Sequence, residues 1–372
     1  MNEGVLLNYK ERNSNFELLR IIAMLLIVFH HSIFHGVLAY SVTMWQGTPV
    51  SDQVWVTTFV GELIAMFGKV AVAVFVMISG YFLVNSSSNW KKSLRKIFSL
   101  VIQVYFYSMV IYLVGAHFGW INPKDLNTIR QAFLPFFYNT YWFATEYLLL
   151  YLVYPYLNAL IHSISREQHR NLILIVSVFS TVVPTIFIHF TNYNSYGNLV
   201  MFVLYYIIGG YIRLYTIEDE KKKGLLLTIG SILLMAGVIF WHDYMGRITH
   251  NQQYYGNSFA YAEQNSLFVL LVALGTMMFF KHISLGHNKI INTIAATTFG
   301  VYLIHDNPIM EQVIWLKWLK MPALLTPNIG HLLIAVGIIC PSIFIICSLI
   351  DFIRIKLFNL IAFIFNKAKK TM

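Results

Sequence analysis

Charged side chains are scarce in this sequence. They make up 11% of its 372 residues, against about 25% in an ordinary soluble domain. With 58% hydrophobic residues and a mean hydropathy of +0.63, that scarcity excludes a soluble globular protein. Cysteine is nearly absent. Cys340 and Cys347 sit seven apart in the last apolar run, which excludes a disulfide framework or a cysteine-built metal centre and leaves lipid-facing or packed thiols. No internal repeat is visible, which disfavours transporter folds built on repeats. The first apolar run is longer than a signal-peptide core and has no small-residue cleavage site, so no cleaved leader is expected. No stretch between apolar runs is large enough for a soluble domain.

What the chain has instead is a succession of apolar runs of about twenty residues, each long enough to cross the hydrocarbon core. They predict an all-α membrane protein, a single domain over 1–372 built as a polytopic bundle of about ten transmembrane helices, near 16–38, 57–84, 94–116, 141–162, 170–190, 198–215, 224–242, 265–281, 290–308 and 331–364. The net charge of +10 is distributed as a topology signal and does not point to nucleic acid. Of the 26 lysines and arginines, nineteen fall in one set of connecting segments, Lys10, Arg12, Lys221, Lys222, Lys223 and Lys367 among them; five fall in the other set, and Arg20 and Lys69 lie within spans. The positive-inside rule then puts both termini in the cytoplasm, with the basic segments attracted to anionic lipid.

Two ionisable residues inside the first span stand out. In FELLRIIAMLLIVFHHSIFHG, Arg20 is followed by His31. Eleven helical residues return to within roughly 20° of the starting direction and rise about 16 Å, so the two side chains share one face. Charge inside a bilayer is costly and is a functional hypothesis by default. A cation near one surface and an imidazole deep in the span suit a long anionic ligand lying between them. Lys69, Glu146 and His305 fall at a similar predicted depth in three other spans, which suggests a shared buried site in the outer half of the membrane. Plainer readings stand beside these. Arg20 is placed to pair with Glu17, and Lys69 to pair with Glu62 seven residues earlier. Glu146 suits either the orientation of a histidine or the balancing of Lys69. His30 points away from His31 and reads as structural. His35 lies one turn beyond His31, but a two-histidine metal site has no visible third ligand. Asp306 reads as a mark of a span's end.

Histidine has the pKa for a general base at neutral pH. An acceptor hydroxyl would give it a proton while attacking a thioester carbonyl, and the oxyanion would need a donor or cation, for which Lys69 is a candidate. Arginine suits the phosphates of coenzyme A, whose pantetheine arm is comparable in length to the Arg20–His31 separation. The predicted outer loops near 117–140 and 243–263 are aromatic and polar, as suits carbohydrate contact or simply an interfacial aromatic belt.

Four segments together resemble the membrane-bound acyltransferase-3 family: Arg20 and His31 in RIIAMLLIVFHH; FGKVAVAVFVMISGYFLV at 67–84, closing on Ser79, Gly80 and Tyr81; YWFATEYLLLYLVYPYLN at 141–158; and TFGVYLIHDNP at 298–308, containing His305. The resemblance covers essentially the whole chain. It implies transfer of an acyl group, most often acetyl from acetyl-CoA, to hydroxyls of extracytoplasmic glycans in a bacterial plasma membrane, with the arginine and histidine of the first span as the essential pair. His31 is then the expected base and Arg20 the donor-binding cation. Lys69, Glu146 and His305 are further site candidates, and Ser79 a donor contact. No metal is implied. The expected partners are acyl-CoA, a glycan or lipid-linked sugar, membrane lipids and polysaccharide biosynthesis proteins. Some relatives carry a fused hydrolase-like domain, which is not expected here because the chain continues only briefly after its last span. Two other readings compete: a transporter or flippase for a polysaccharide or polyprenyl-linked sugar, and a structural subunit of a polysaccharide synthase.

Overall fold

A computed structural model describes residues 13–40, 51–86, 90–187 and 198–371. Lys10 and Arg12, two of the charges behind the predicted orientation, lie outside these residues, as does the far end of the predicted fifth span. The regular structure of the described residues is helical, with no strand. Among these residues, seven helical stretches are long and apolar enough to cross a membrane, and Asn198–Leu214 is a shorter apolar helix.

The elements that position the site are α1 (Ser14–His31), α2 (Trp55–Ala65), α3 (Phe67–Leu83), α4 (Trp90–His117), α5 (Leu126–Phe133), α6 (Trp142–Ser163), α7 (Arg166–Ser177), α8 (Asn198–Leu214), α9 (Glu220–Thr249), α10 (Gln252–Ser258), α11 (Leu267–Lys281), α12 (Lys289–Ala295), α13 (Thr298–His305), α14 (Pro308–Glu311) and α15 (Ile329–Thr371). The boundaries depart from the predicted spans in three places. The second span runs over Trp55–Leu83 with a one-residue turn at Met66, between α2 and α3. The ninth is broken between α12 and α13. The predicted loop at 243–263 is largely helical: α9 continues to Thr249, and α10 follows after two residues.

Polar contacts gather at two opposite ends of the bundle, as expected of a chain that passes back and forth. At one end, Ser14 Oγ donates to Asn292 Oδ1 at 3.0 Å, Leu285 N–H donates to Asn15 Oδ1 at 2.8 Å, and Glu220 sits 2.8 Å from both Lys281 and His282. Tyr81 near the end of α3 stacks at 4.6 Å on Phe16 near the start of α1. At the other end, Thr57 Oγ1 donates to the Thr326 carbonyl at 2.6 Å, and Arg247 pairs with Asp52 at 2.8 Å.

In lipid, helices associate by close packing and not by the exclusion of water, so small residues set how near two backbones come. The α3–α8 crossing shows this. A Cβ added at Gly80 would run into the Tyr206 carbonyl, and one added at Gly209 into the Met77 carbonyl. This contact fixes α3, which carries Val72, Phe75 and Ser79, against the rest of the core.

Candidate active site

The continuous helical register of α1 brings Met24, Ile27 and His31 onto one face, the face that begins with Arg20. All three line a small cavity of about 20 Å³, with Val72 and Phe75 of α3, Trp142 and Phe143 of α6 and Tyr302 of α13. At its C-terminal end α1 widens into a π-helical turn, Ser32–Val37, a local geometry often found at functional sites.

His31 is buried, and its partners come from α13, more than 270 residues away. His31 Nδ1 lies 3.0 Å from His305 Nε2 and 3.2 Å from Asp306 Oδ1. The proton positions follow from a carbonyl that can only accept. His305 Nδ1 is 2.6 Å from the Val301 carbonyl, so this nitrogen carries the hydrogen and, in the neutral ring, Nε2 is the acceptor. His31 Nδ1–H therefore donates to His305, with Asp306 beside it, and the lone pair of His31 is left on Nε2. A carboxylate next to the donating nitrogen orients the ring and stabilises the imidazolium formed when Nε2 takes a proton. Asp306, which reads in sequence as the end of a span, is thus part of the arrangement. The only local sign of this is its position directly after His305.

Asp306 also supplies the third ligand type that the sequence did not reveal around the two histidines. His31, His35 and Asp306 offer ligand atoms all within 4.8 Å of one another. His35 itself pairs with Glu311. His30 takes a separate course: its Nδ1 donates to the Ala65 carbonyl at 2.8 Å, and its ring packs on Phe34 at 4.7 Å.

The other sequence candidates make contacts of their own. Lys69 Nζ sits 5.0 Å over the ring of Trp142 and 3.9 Å from Glu263. Its expected partner, Glu62, instead accepts from Ser258 at 3.3 Å. Glu146 is half-buried and hydrogen-bonded to Asn198, so the carboxylate beside the histidines is Asp306. Arg20 Nη1 donates to Glu17 at 2.8 Å and keeps a quarter of its side chain exposed. Ser79 Oγ donates to the Phe75 carbonyl at 3.0 Å, so the hydroxyl of Tyr147 donates to Ser79. Tyr147 and Tyr151 were not singled out in the sequence. With Phe143 they form a row at four-residue steps on α6. Phe143 and Tyr147 stack at 5.4 Å, and Tyr151 falls within the field of Arg20. The row therefore runs from the cavity at His31 back to Arg20.

Beyond Asp306 the chain turns outward into a cleft of about 460 Å³, lined by Trp120, Thr128, Gln131, Pro308, Gln312 and Lys317 among others. The rings of Trp120 and Trp318 meet edge to face at 5.3 Å. One wall is α5, capped by Asp125, which accepts from the Thr128 amide and hydroxyl, both at 2.8 Å. The amide bond holds the Asp125 carboxyl below its ordinary pKa.

This arrangement sits within a chain of known family. The acyltransferase-3 profile, described as an acyltransferase domain, matches residues 13–351. The chain belongs to that family and is a multi-pass membrane acyltransferase. Neither the curated proteins nor the solved structures contain a match to it.

Proposed function

We propose that the protein transfers an acetyl group, or a related short acyl group, from cytoplasmic acyl-CoA to a hydroxyl of an extracytoplasmic glycan, either a surface polysaccharide or its lipid-linked precursor. The setting is the plasma membrane of a bacterium, with ten passes, both termini cytoplasmic and polysaccharide biosynthesis proteins as partners. The polar contacts shared at each end of the bundle support that alternation. The observation that carries the chemistry is the set His31–His305–Asp306, in which the two imidazoles share a hydrogen bond and the Asp306 carboxyl lies beside it, leaving Nε2 of His31 as the basic nitrogen beside a small cavity.

Arg20 binds the phosphates of the donor by charge-assisted hydrogen bonds. The pantetheine arm lies along the α6 row of Tyr151, Tyr147 and Phe143, with Ser79 opposite, and the thioester reaches the cavity. That cavity has room for about one methyl-sized group, which favours a short acyl chain. The acceptor occupies the outer cleft, where Trp120 offers a stacking face and Gln131 and Gln312 offer hydrogen bonds. His31 removes the hydroxyl proton, and the hydroxyl oxygen attacks the carbonyl carbon. Collapse breaks the C–S bond, and the departing thiolate recovers the proton from His31. His305 and Asp306 fix the ring. Lys69, over the lining residue Trp142, contributes positive charge near the cavity, Glu146 acts from its place on α6 beside Asn198, and no step uses a metal.

Purified protein in liposomes, supplied with radiolabelled acetyl-CoA and a glycan, tests this. Label enters the glycan with wild type and does so at background rates with His31→Ala. Absence of coenzyme A binding by the folded wild type would sink the proposal.

A further inference from the structure

The tetrahedral intermediate of acyl transfer carries a negative charge on the former carbonyl oxygen, and the bilayer interior supplies no water to solvate it. Lys69, the sequence candidate for this task, is occupied by Glu263 and the ring of Trp142. Two other features meet at the cavity. The hydroxyl of Tyr302 belongs to a residue that is 3% exposed and, among the described residues, makes no hydrogen bond of ordinary geometry. The Phe143 amide and Asp306 are its polar neighbours. A buried hydroxyl without a well-formed hydrogen bond is costly, so its placement at the cavity calls for an explanation. The second feature is the start of α6. This 22-residue helix begins at Trp142, and Tyr141 gives it no side-chain cap. Its first amides and the positive end of its dipole therefore lie at the cavity wall, where Trp142 and Phe143 are lining residues.

We infer that the Tyr302 hydroxyl, set at the uncapped N-terminus of α6, is the oxyanion donor of this acyltransferase. The inference rests on the acyl-transfer reading above. As the acceptor oxygen bonds to the carbonyl carbon and its proton passes to His31, the C=O π electrons move onto oxygen and Tyr302 O–H donates to it. When the C–S bond breaks, that electron pair re-forms the carbonyl, the thiolate takes the proton from His31, and Tyr302 returns to its starting state.

The test pairs Tyr302→Phe with a substrate change. The phenyl ring keeps the packing against Phe143 and Tyr141. We expect kcat for acetyl transfer to fall about 10²–10³-fold, the scale of losing one oxyanion donor, while the Kd for acetyl-CoA stays within threefold. A dithioester analogue of acetyl-CoA presents a thiocarbonyl sulfur, a poor hydrogen-bond acceptor. Wild type should prefer the oxygen substrate by a large factor, and Tyr302→Phe should lose most of that preference, which a packing defect would not cause. A kcat within threefold of wild type, or an unchanged oxygen-to-sulfur preference, overturns the inference. If the variant does not fold, a wild-type preference below tenfold overturns it and a larger one supports it. If His31→Ala also transfers normally, the acyl-transfer reading itself has failed; loss in His31→Ala with no effect in Tyr302→Phe removes only the Tyr302 assignment.

Discussion

Replacing Asp306 with asparagine keeps a side chain of the same shape beside His31 and removes its charge. When His31 takes the acceptor's proton, its ring becomes an imidazolium 3.2 Å from the carboxylate oxygen. At that distance two unit charges attract by about 5 kcal/mol in an effective dielectric of about 20. The proton is about half transferred at the transition state, so about 2–3 kcal/mol of this acts on the barrier, or about 10²-fold in rate. Acetyl-CoA binding should be unaffected, because Arg20 is about 16 Å away along α1. Steady-state transfer in liposomes, with coenzyme A binding measured separately, gives both numbers. A kcat for Asp306→Asn within threefold of wild type would show that the carboxylate does not support the base. A fall in binding as large as the fall in kcat would point to a disturbed bundle.

Three further outcomes are expected. Arg20→Ala should weaken coenzyme A binding about 10–100-fold, the scale of a charge-assisted hydrogen bond, with a smaller change in kcat at saturation; equal Kd values for variant and wild type by titration would remove Arg20 from the donor site. Gly209→Ala should cost about 1–3 kcal/mol, because its Cβ meets the Met77 backbone and neither helix can yield without losing packing. A thermal melt in detergent equal to that of wild type would show that the crossing is looser than described. Asp125→Ala should speed amide exchange at Thr128. Because the carboxyl is held below its ordinary pKa, its capping contribution is complete above the unfolded-state value and is lost as pH falls through the folded-state value, so exchange protection in wild type should persist at pH 5. Loss of protection already at pH 5 would contradict that sign.

The Arg20–His31 stripe was legible in the sequence because one unbroken helix connects the two residues, so the 3.6-residue period carries the register. Met24 and Ile27 fall on the same face and line the same cavity as His31. The Glu62–Lys69 pairing used the same rule and met a different outcome: Glu62 accepts from Ser258 and Lys69 pairs with Glu263, distant contacts that local spacing does not reveal. The gap between α12 and α13 at Ala296 and Thr297 falls in an apolar stretch without proline, where hydropathy gives no signal. Asp306 could not be weighed from local pattern, since its importance arises from a contact with His31 across 275 positions. Tyr147 and Tyr151 were hidden for a different reason: α6 is aromatic along much of its length, and only packing singles out the face turned toward α1.

Both native cysteines of the described chain, Cys340 and Cys347, are buried on α15. A thiol reagent applied to intact membranes should therefore find little native sulfur to modify, and the wild-type chain can serve as its own silent background for chemical mapping. A single cysteine placed at Lys124 or at His287 would report which side of the membrane each connecting segment occupies. No native residue would have to be removed from the packed helix to make that measurement. The same burial makes the two thiols a built-in gauge of opening: they become reactive when α15 leaves the bundle, so their modification rate in the presence and absence of coenzyme A would report how far the donor tightens the fold.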